Sequence, residues 1–251
     1  MASGKPHASR LVLDGRHYEY VDGSRKEDLS YWARWAETIS GPILEAGCGT
    51  GRVGYRLAAK GHRVYGVDIA PELLLYGRRH RLGPNMRYVQ ACMRALPFDI
   101  GFTAVIYPYS VFNHNVTDEE ALQCLAEAHR VLLPGGEVVL DLINMTDDRA
   151  CDDADAFLIA YSDPDDVGFI RVSQATRYDG RTRRVWLDRR HLRSDGARAS
   201  VTLAARFYRL EDVAALAEAT GLRVASVAGG YENEELDQDS DVAVIHLRKL
   251  A

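Results

Sequence analysis

The chain has 251 residues and a formal net charge of −5, and 47% of its residues are hydrophobic. It contains no run of about 18 apolar residues, which excludes a membrane-spanning helix, and its acidic balance argues against a nucleic-acid partner. Because the four cysteines form no Cys-x-x-Cys pair, we expect a reduced, cytoplasmic protein without a zinc site or other metal site. Residues 1–10 are polar, so no secretory signal is expected there.

The first half of the chain alternates helix and strand patterns. In chain order the sequence predicts a helix over 26–39, a strand over 42–46, a helix over 53–60, a strand over 63–67, a helix over 71–80, strands over 86–89 and 102–107, a helix over 118–133 and a strand over 137–142. Short connections between such elements are typical of a parallel sheet that is covered on both faces. The predicted fold class is therefore α/β.

The pattern changes after residue 143. An acidic loop over 144–156 precedes strands predicted at 169–172, 184–187 and 200–203, which are separated by the turns Asp179-Gly180 and Asp195-Gly196. Turns of this chemistry join antiparallel strands. A helix over 210–219 and strands over 222–227 and 242–247 follow. We therefore divide the chain into an N-terminal tail and substrate-side segment (1–25), a main domain (26–146 and 207–251) and an inserted antiparallel cap (147–206).

A glycine-rich turn follows the first predicted strand. Gly47, Gly49 and Gly51 alternate with other residues, Glu45 precedes them, and Asp68 ends the next strand. Glycine lets the backbone turn sharply and approach a ligand, and an acid at the end of the adjoining strand can hold both hydroxyls of a ribose. Dinucleotide-binding proteins space their glycines differently, to hold a pyrophosphate. An acid beside the turn suits the ammonium group of S-adenosylmethionine better than a phosphate.

The segment from Glu45 to Gly51 resembles the first motif of the class I S-adenosylmethionine-dependent methyltransferases. The resemblance implies a Rossmann-like, seven-stranded, mostly parallel sheet with S-adenosylmethionine as its cofactor. It also implies that the backbone of the glycine turn, including Cys48, holds the methionyl group, that Asp68 holds the ribose and that Ile69 packs near the adenine. Many members carry an aspartate where this chain has Cys92. Because a thiol is a weak acceptor, we expect the adenine to be held by backbone groups near Met93 and by apolar packing.

The loop after the fourth strand, from Tyr107 to Asn115, is rich in aromatic and amide side chains. The carboxyl ends of strands in such sheets face the ligand crevice, so this loop, beginning at Tyr107, is expected to face the cofactor. Within class I, the chain looks most like small-molecule N-methyltransferases acting on aminosugars or peptide amines, which often carry a Ser-Ile-x-His stretch. Ser110 to His114 is similar to it with one extra residue. The resemblance makes His114 and Tyr20 candidate catalytic residues.

Tyr109 and Asn113 are weaker candidates for substrate contacts. Each of these side chains has an ordinary structural alternative, such as a packing tyrosine or a solvent-facing histidine. The arginines of the predicted cap fit either a solvated face or an anionic substrate held by guanidinium forks. The acidic run over 232–241 lacks the glycine of a calcium-binding loop and is expected to be a mobile loop.

The predicted function is methyl transfer to an amine or hydroxyl of a small molecule, such as a nucleotide-linked sugar or another natural-product intermediate. A homodimer is compatible with this prediction. One alternative is a nicotinamide-dependent oxidoreductase on a similar fold, which the glycine spacing opposes. Another is a non-catalytic S-adenosylmethionine binder or a macromolecular methyltransferase.

Overall fold

The computed structural model describes residues 14–81, 83–99, 101–146, 150, 152–165 and 168–250. These residues form two sheets, one of seven strands and one of four. The helices are α1 (Gly15–Tyr18), α2 (Leu29–Ala36), α3 (Gly54–Ala59), α4 (Pro71–His80), α5 (Asp118–Val131) and α6 (Leu210–Ala219). A π-type turn, Glu19–Gly23, continues α1, and a 3-10 turn covers Val111–His114.

The strands of the large sheet are β1 (Ile43–Ala46), β2 (Val64–Asp68), β3 (Met86–Gln90), β4 (Phe102–Tyr107), β5 (Leu132–Ile143), β10 (Leu222–Ala228) and β11 (Val242–Lys249). Their spatial order is β10-β11-β5-β4-β1-β2-β3. The pairs from β5 to β3 are parallel, while β11 runs antiparallel to both of its neighbours. The predicted seven-stranded, mostly parallel α/β sheet is therefore confirmed.

The order of the strands reverses between β1 and β4, which lie side by side although two strand–helix units separate them in the chain. At such a switch point the connections leave to opposite faces and open a crevice at the carboxyl ends of the strands. The turn after β1 and the loop after β4 both begin at this edge. The topology alone therefore brings the two segments predicted to bind cofactor and substrate together.

Two hydrophobic cores fill the faces of the large sheet. On one face, Leu44, Val105 and Leu140 pack against α5 and α6. On the other face, Ile43, Ile106 and Val139 pack against Trp32 and Trp35 of α2. Neighbouring residues of each strand alternate between the two cores because successive side chains of a strand point to opposite faces. The burial of these strands on both sides explains their nearly continuous apolar sequences.

The small sheet consists of β6 (Asp153–Ser162), β7 (Phe169–Asp179), β8 (Arg184–Arg193) and β9 (Arg198–Arg206), all antiparallel. We call this sheet the cap. The tight connections after β7 and β8 lie at the predicted turns. The sequence did not indicate β6: its acidic first residues suggested that the loop continued to 156, whereas pairing with β7 makes them a strand.

The helix predicted over 118–133 ends at Val131, and β5, predicted over 137–142, already begins at Leu132. Leu132 pairs with Phe102, and Glu137 pairs with Ala104 after a shift of register. Gly135 lies in this irregular stretch with a φ of +74°. The residues between the predicted helix and the predicted strand therefore form a bulge within β5, because pairing with β4 is present on both sides of them.

In the part of the chain that the structure describes, no helix is both long and apolar enough to cross a membrane. Residues 1–13 of the predicted N-terminal tail lie outside the described residues. Residues 14–25 form a segment that we call the strap. It touches both sheets: the carboxylate of Glu19 pairs with Arg81 beside the large sheet, and Asp22 pairs with Arg189 of the cap at 2.7 Å.

Candidate active site

The glycine turn lies between β1 and α3 at the switch point. Gly47, Gly49 and Gly51 have φ values of +63°, +54° and +81°, in the region that favours glycine. A β-carbon on Gly47 would lie 2.0 Å from Cγ2 of Val111, and one on Gly51 would lie 2.3 Å from the hydroxyl of Tyr88. Backbone conformation and close packing therefore both require glycine, and the turn presents bare backbone to the crevice.

Asp68 ends β2 beside this turn. Its Oδ2 accepts a hydrogen bond from the Gly49 N–H at 2.8 Å, and its Oδ1 accepts one from the Ala70 N–H at 2.9 Å. Burial raises the pKa of Asp68, although these two N–H groups oppose the shift. The next side chain, Ile69, is 70% exposed. The fixed carboxylate of Asp68 can accept hydrogen bonds from ribose hydroxyls, and the exposed side chain of Ile69 can pack against an adenine.

Glu45, which was expected to suit an ammonium group, is engaged elsewhere. Its side chain is buried, and its Oε2 accepts a hydrogen bond from the N–H of Gly54 at the start of α3, at 2.8 Å. Burial raises the pKa of Glu45 to about 8. The Glu45 side chain therefore links β1 to the start of α3, and this hydrogen bond stabilises the glycine turn between them.

Three residues predicted to contact the cofactor are packed against other side chains or held by backbone hydrogen bonds: Cys48, Cys92 and Met93. The Cys48 thiol is buried over β2, 2.7 Å from the point where a β-carbon on Gly66 would lie. The carbonyl of Cys92 accepts a hydrogen bond from the Ala95 N–H at 2.9 Å. Met93 is partly buried against the core. The Cys92–Ala95 turn leaves β3 at the same edge of the sheet as Asp68.

The loop after β4 begins with a residue of the core. The ring of Tyr107 is fully buried beside Phe112, and its hydroxyl accepts a hydrogen bond from the Cys124 thiol at 3.4 Å. Only the backbone of Tyr107 is thus available to a ligand. The sequence alone could not show whether the ring of Tyr107 enters the core or faces the ligand crevice, because a tyrosine at the end of a strand can point to either face of the sheet.

Tyr109 and Ser110 both adopt left-handed backbone conformations, with φ values of +54° and +58°. Such conformations are costly for residues other than glycine and persist where the surroundings fix them. Here the N–H of Tyr109 donates to Oδ2 of Asp141 at 2.8 Å, and its ring lies 4.8 Å from the guanidinium of Arg25. Burial raises the pKa of Tyr109 to about 12. Tyr109 therefore lies where the strap covers the crevice.

Asn113 and His114 both connect the loop after β4 to the cap. Asn113 is buried, and its amide donates to the carbonyl of Arg206 at 2.7 Å. His114 is exposed, with Nδ1 2.9 Å from the carbonyl oxygen of Ala204. Its electrostatic interaction with Asp68 is one of the effects that oppose the rise in the pKa of that carboxyl. His114 thus leaves Nε2 free of any described partner beside the crevice.

Two tyrosines of the strap point in different directions. Tyr20 is 42% exposed and stacks on Tyr161 of the cap, with ring centroids 4.6 Å apart. Tyr18, which the sequence did not single out, has its hydroxyl 3.2 Å from the point that a β-carbon on Gly49 would occupy. Burial and the charges of Asp22 and Asp68 raise its pKa. The structure therefore places Tyr18 over the glycine turn and Tyr20 against the cap.

A buried ion pair lies directly behind the glycine turn. Both terminal nitrogens of Arg52 donate to the carboxylate of Asp28, at 2.5 and 2.7 Å, and the indole of Trp32 donates to the same carboxylate at 3.0 Å. Sequence reasoning missed this pair and also missed Asp141. Arg52 stands next to the last glycine of the turn, but nothing local in the sequence identifies its partner.

Comparison with known proteins finds a family match over part of the chain. Residues 43–136 match the family described as Methyltransferase domain. The cypemycin N-terminal methyltransferase of a Streptomyces species is 28% identical over 76% of this chain and 76% of that protein. The putative methyltransferase YqeM of Bacillus subtilis is 31% identical over 53% of this chain. The chain spans about half (56%) of the length of YqeM.

Solved structures of methyltransferases share the fold. CcbJ from Streptomyces caelestis superposes with a TM-score of 0.80 at 20% identity, covering 94% of this chain and 96% of that chain. CalS10, an amino pentose methyltransferase from Micromonospora echinaspora with S-adenosylmethionine bound, has a TM-score of 0.67 at 22% identity and covers 90% and 93%. These matches confirm the predicted Rossmann-like fold.

The residues present fit S-adenosylmethionine, the cofactor predicted from the sequence. The turn is bare where a β-carbon would fill the approach to Gly49, and the adjoining carboxylate of Asp68 and the exposed Ile69 suit an adenosine. A buried, unpartnered oxygen of Asp141 adds an acceptor for a polar ligand group. The family match favours methyl transfer over the nicotinamide-dependent alternative.

Proposed function

Because the chain carries a methyltransferase domain over residues 43–136, we propose that the protein transfers the methyl group of S-adenosylmethionine to an amine or hydroxyl of a small molecule. The observation that carries this proposal is the enclosure of the glycine turn by the strap. Tyr18 lies over Gly49, while Asp22 ties the same segment to Arg189 of the cap. A crevice covered from two sides favours a small acceptor over a macromolecular one.

When bound, S-adenosylmethionine supplies an electrophilic methyl group on a sulfonium. In the proposal, the backbone of the glycine turn orients the methionyl end, Asp68 holds the ribose hydroxyls, and Ile69 with the backbone near Met93 packs on the adenine. An acceptor held in line with the sulfur gains several kcal/mol from positioning alone. The chain's main contribution is therefore to bind, orient and exclude water.

An amine acceptor is favoured. A neutral amine attacks without losing a proton first, whereas a hydroxyl needs a base to remove one. Two of the similar proteins are named for amine-bearing acceptors, an N-terminal methyltransferase and an amino pentose methyltransferase, while other relatives are C- or O-methyltransferases. His114, which interacts electrostatically with Asp68 and has Nδ1 directed at the cap, is proposed to orient the acceptor or take its proton. Tyr20 and Tyr109 are proposed to line the acceptor space.

A labelled-methyl assay tests the proposal. The full chain is incubated with methyl-tritiated S-adenosylmethionine and three panels of acceptors: aminosugars free and nucleotide-linked, peptides with free amino termini, and hydroxylated aromatic compounds. We expect transfer to members of the amine panels. Transfer to hydroxyl compounds alone would shift the proposal to an O-methyltransferase. Tight binding of S-adenosylhomocysteine without transfer to any panel would instead support the non-catalytic or macromolecular alternative.

A further inference from the structure

Asp141 of β5 carries a buried oxygen that no described residue hydrogen-bonds. The side chain belongs to a residue that is 1% exposed. Its Oδ2 accepts hydrogen bonds from the N–H of Tyr109 at 2.8 Å and from the hydroxyl of Tyr231 at 2.9 Å. Its Oδ1 has no partner, and no other buried carboxylate oxygen in the described ranges lacks one. Buried polar atoms are nearly always hydrogen-bonded, so an unpaired carboxylate oxygen indicates a missing donor.

The position of Asp141 is that of a ligand-binding group. It lies near the carboxyl end of β5, beside β4, and its bond to Tyr109 places it against the loop that borders the crevice. Burial raises the pKa of Asp141 to about 6, so the carboxylate is largely ionised at neutral pH. The cation that acts on it electrostatically, Arg52, has both terminal nitrogens bonded to Asp28. Within the described ranges, the negative charge of Asp141 therefore has no direct cationic partner.

We propose that Oδ1 of Asp141 accepts a hydrogen bond from the α-ammonium of the methionyl group of S-adenosylmethionine. This inference rests on the proposed function. Glu45, the acid expected to suit that ammonium, is occupied by the N–H of Gly54. An acceptor amine is a poorer occupant, because a carboxylate stabilises the protonated form of an amine and a protonated amine has no lone pair with which to attack a methyl group.

Replacing Asp141 by asparagine tests the role of the unpaired oxygen while keeping the hydrogen bonds to the other oxygen. In Asp141→Asn the amide oxygen still accepts from Tyr109 and Tyr231, so the left-handed loop keeps its support. The amide nitrogen takes the place of Oδ1 and can donate but not accept. The matched control is Tyr231→Phe, which removes one donor from Oδ2 and leaves Oδ1 unchanged.

Two nucleosides separate this contact from the rest of the cofactor site. S-adenosylhomocysteine carries the ammonium, and 5′-methylthioadenosine has the same adenosyl thioether without it. By isothermal titration calorimetry, Asp141→Asn should weaken S-adenosylhomocysteine about ten- to one-hundred-fold, the scale for hydrogen bonds to charged groups, and leave 5′-methylthioadenosine unchanged. Tyr231→Phe should leave the ratio of the two affinities unchanged.

Equal losses for both nucleosides, or no loss for either, would overturn the inference. Failure of the unmodified protein to bind S-adenosylhomocysteine would instead reject the proposed function. A second measurement needs no variant: as the pH falls from about 8 to about 5, protonation of Asp141 should lower the affinity ratio of the two nucleosides. Protonation of Asp68 would affect the ribose that both nucleosides contain. It would therefore change both affinities equally and leave their ratio unchanged. A ratio that does not vary with pH would also contradict the assignment.

Discussion

The backbone N–H of Gly49 donates a hydrogen bond to Oδ2 of Asp68 at 2.8 Å, joining the tip of the glycine turn to the end of the neighbouring strand. The second oxygen of Asp68 is held by the N–H of Ala70. The carboxylate is therefore fixed before any ligand arrives, and each oxygen retains a lone pair for a further donor. A ribose that binds here meets a pre-organised site, which lowers the entropic cost of binding.

Substitution of Gly49 tests the bare turn. In Gly49→Ala the β-carbon would lie 3.2 Å from the Tyr18 hydroxyl on a backbone with a φ of +54°. We expect loss of S-adenosylhomocysteine binding by calorimetry, together with about 1–2 kcal/mol of destabilisation from the left-handed conformation. Gly61→Ala is the matched control, since Gly61 has a φ of +102° and open space around it. It should lose comparable stability and keep its affinity; equal affinities in the two variants would contradict this view of the turn.

The buried Asp28–Arg52 pair is expected to stabilise the fold behind the turn. Arg52→Met leaves the Asp28 carboxylate buried with only the Trp32 indole described as a donor, and breaking such pairs costs about 3–5 kcal/mol. Urea unfolding of the variant measures the loss. Lys60→Met is the control, because Lys60 and Glu37 form an exposed pair at 3.7 Å that contributes at most about 1 kcal/mol. Similar losses in both variants would show that the buried pair has no special role.

Glu45 predicts a pH dependence of stability. Its pKa rises from 4.5 to about 8 in the folded protein because of burial. The folded state therefore holds a proton that the unfolded state releases, and the contribution to stability falls as pH rises from about 4.5 to about 8, by at most about 1.4 kcal/mol per pH unit. In Glu45→Gln the amide oxygen still accepts from Gly54. The stability of the native protein relative to this variant should be greater at pH 5 than at pH 8; parallel profiles would contradict the assignment.

Of the predicted site residues, His114 is the leading candidate for a catalytic role. His114→Ala should leave S-adenosylhomocysteine affinity unchanged, because the described contacts of the histidine are to the cap and not to the glycine turn. Methyl transfer should fall about 10²–10⁴-fold if the ring takes a proton in the transition state. His80→Ala, at an exposed histidine whose ring lies 4.3 Å from that of Tyr76, controls for loss of an imidazole elsewhere. Full turnover in His114→Ala would remove this residue from the mechanism.

The part of the fold that sequence could predict is the part set by local patterns. The helix from Pro71 to His80 and the strand from Phe102 to Tyr107 were predicted with the bounds that the structure shows, since proline at a helix start and a short apolar run are strong local signals. The strand Asp153–Ser162 was missed because its first residues are acidic and it becomes a strand only by pairing with β7.

The candidate site also contains residues that local sequence patterns identify and residues that only the folded structure reveals. The glycines and Asp68 are identified by spacing along the chain, whereas Tyr18, Arg52 and Asp141 are brought to the crevice by contacts between distant segments. The resemblance pointed to Tyr20, but Tyr18 at the end of the short helix α1 lies over the glycine turn while Tyr20 stacks on Tyr161. No pattern in a single sequence shows which face of so short a helix meets the glycine turn.

Asp68→Asn tests the central claim most directly, because it changes one acceptor at the point where the ribose is expected. The unmodified protein should bind S-adenosylhomocysteine at one site per chain, and Asp68→Asn should weaken that affinity about ten- to one-hundred-fold, by 1.5–3 kcal/mol on the scale of hydrogen bonds to charged groups. It should weaken 5′-methylthioadenosine equally, and Glu218→Gln, at an exposed acid of α6, should weaken neither. Unchanged affinity in Asp68→Asn, or absence of binding to the unmodified protein, would contradict the account.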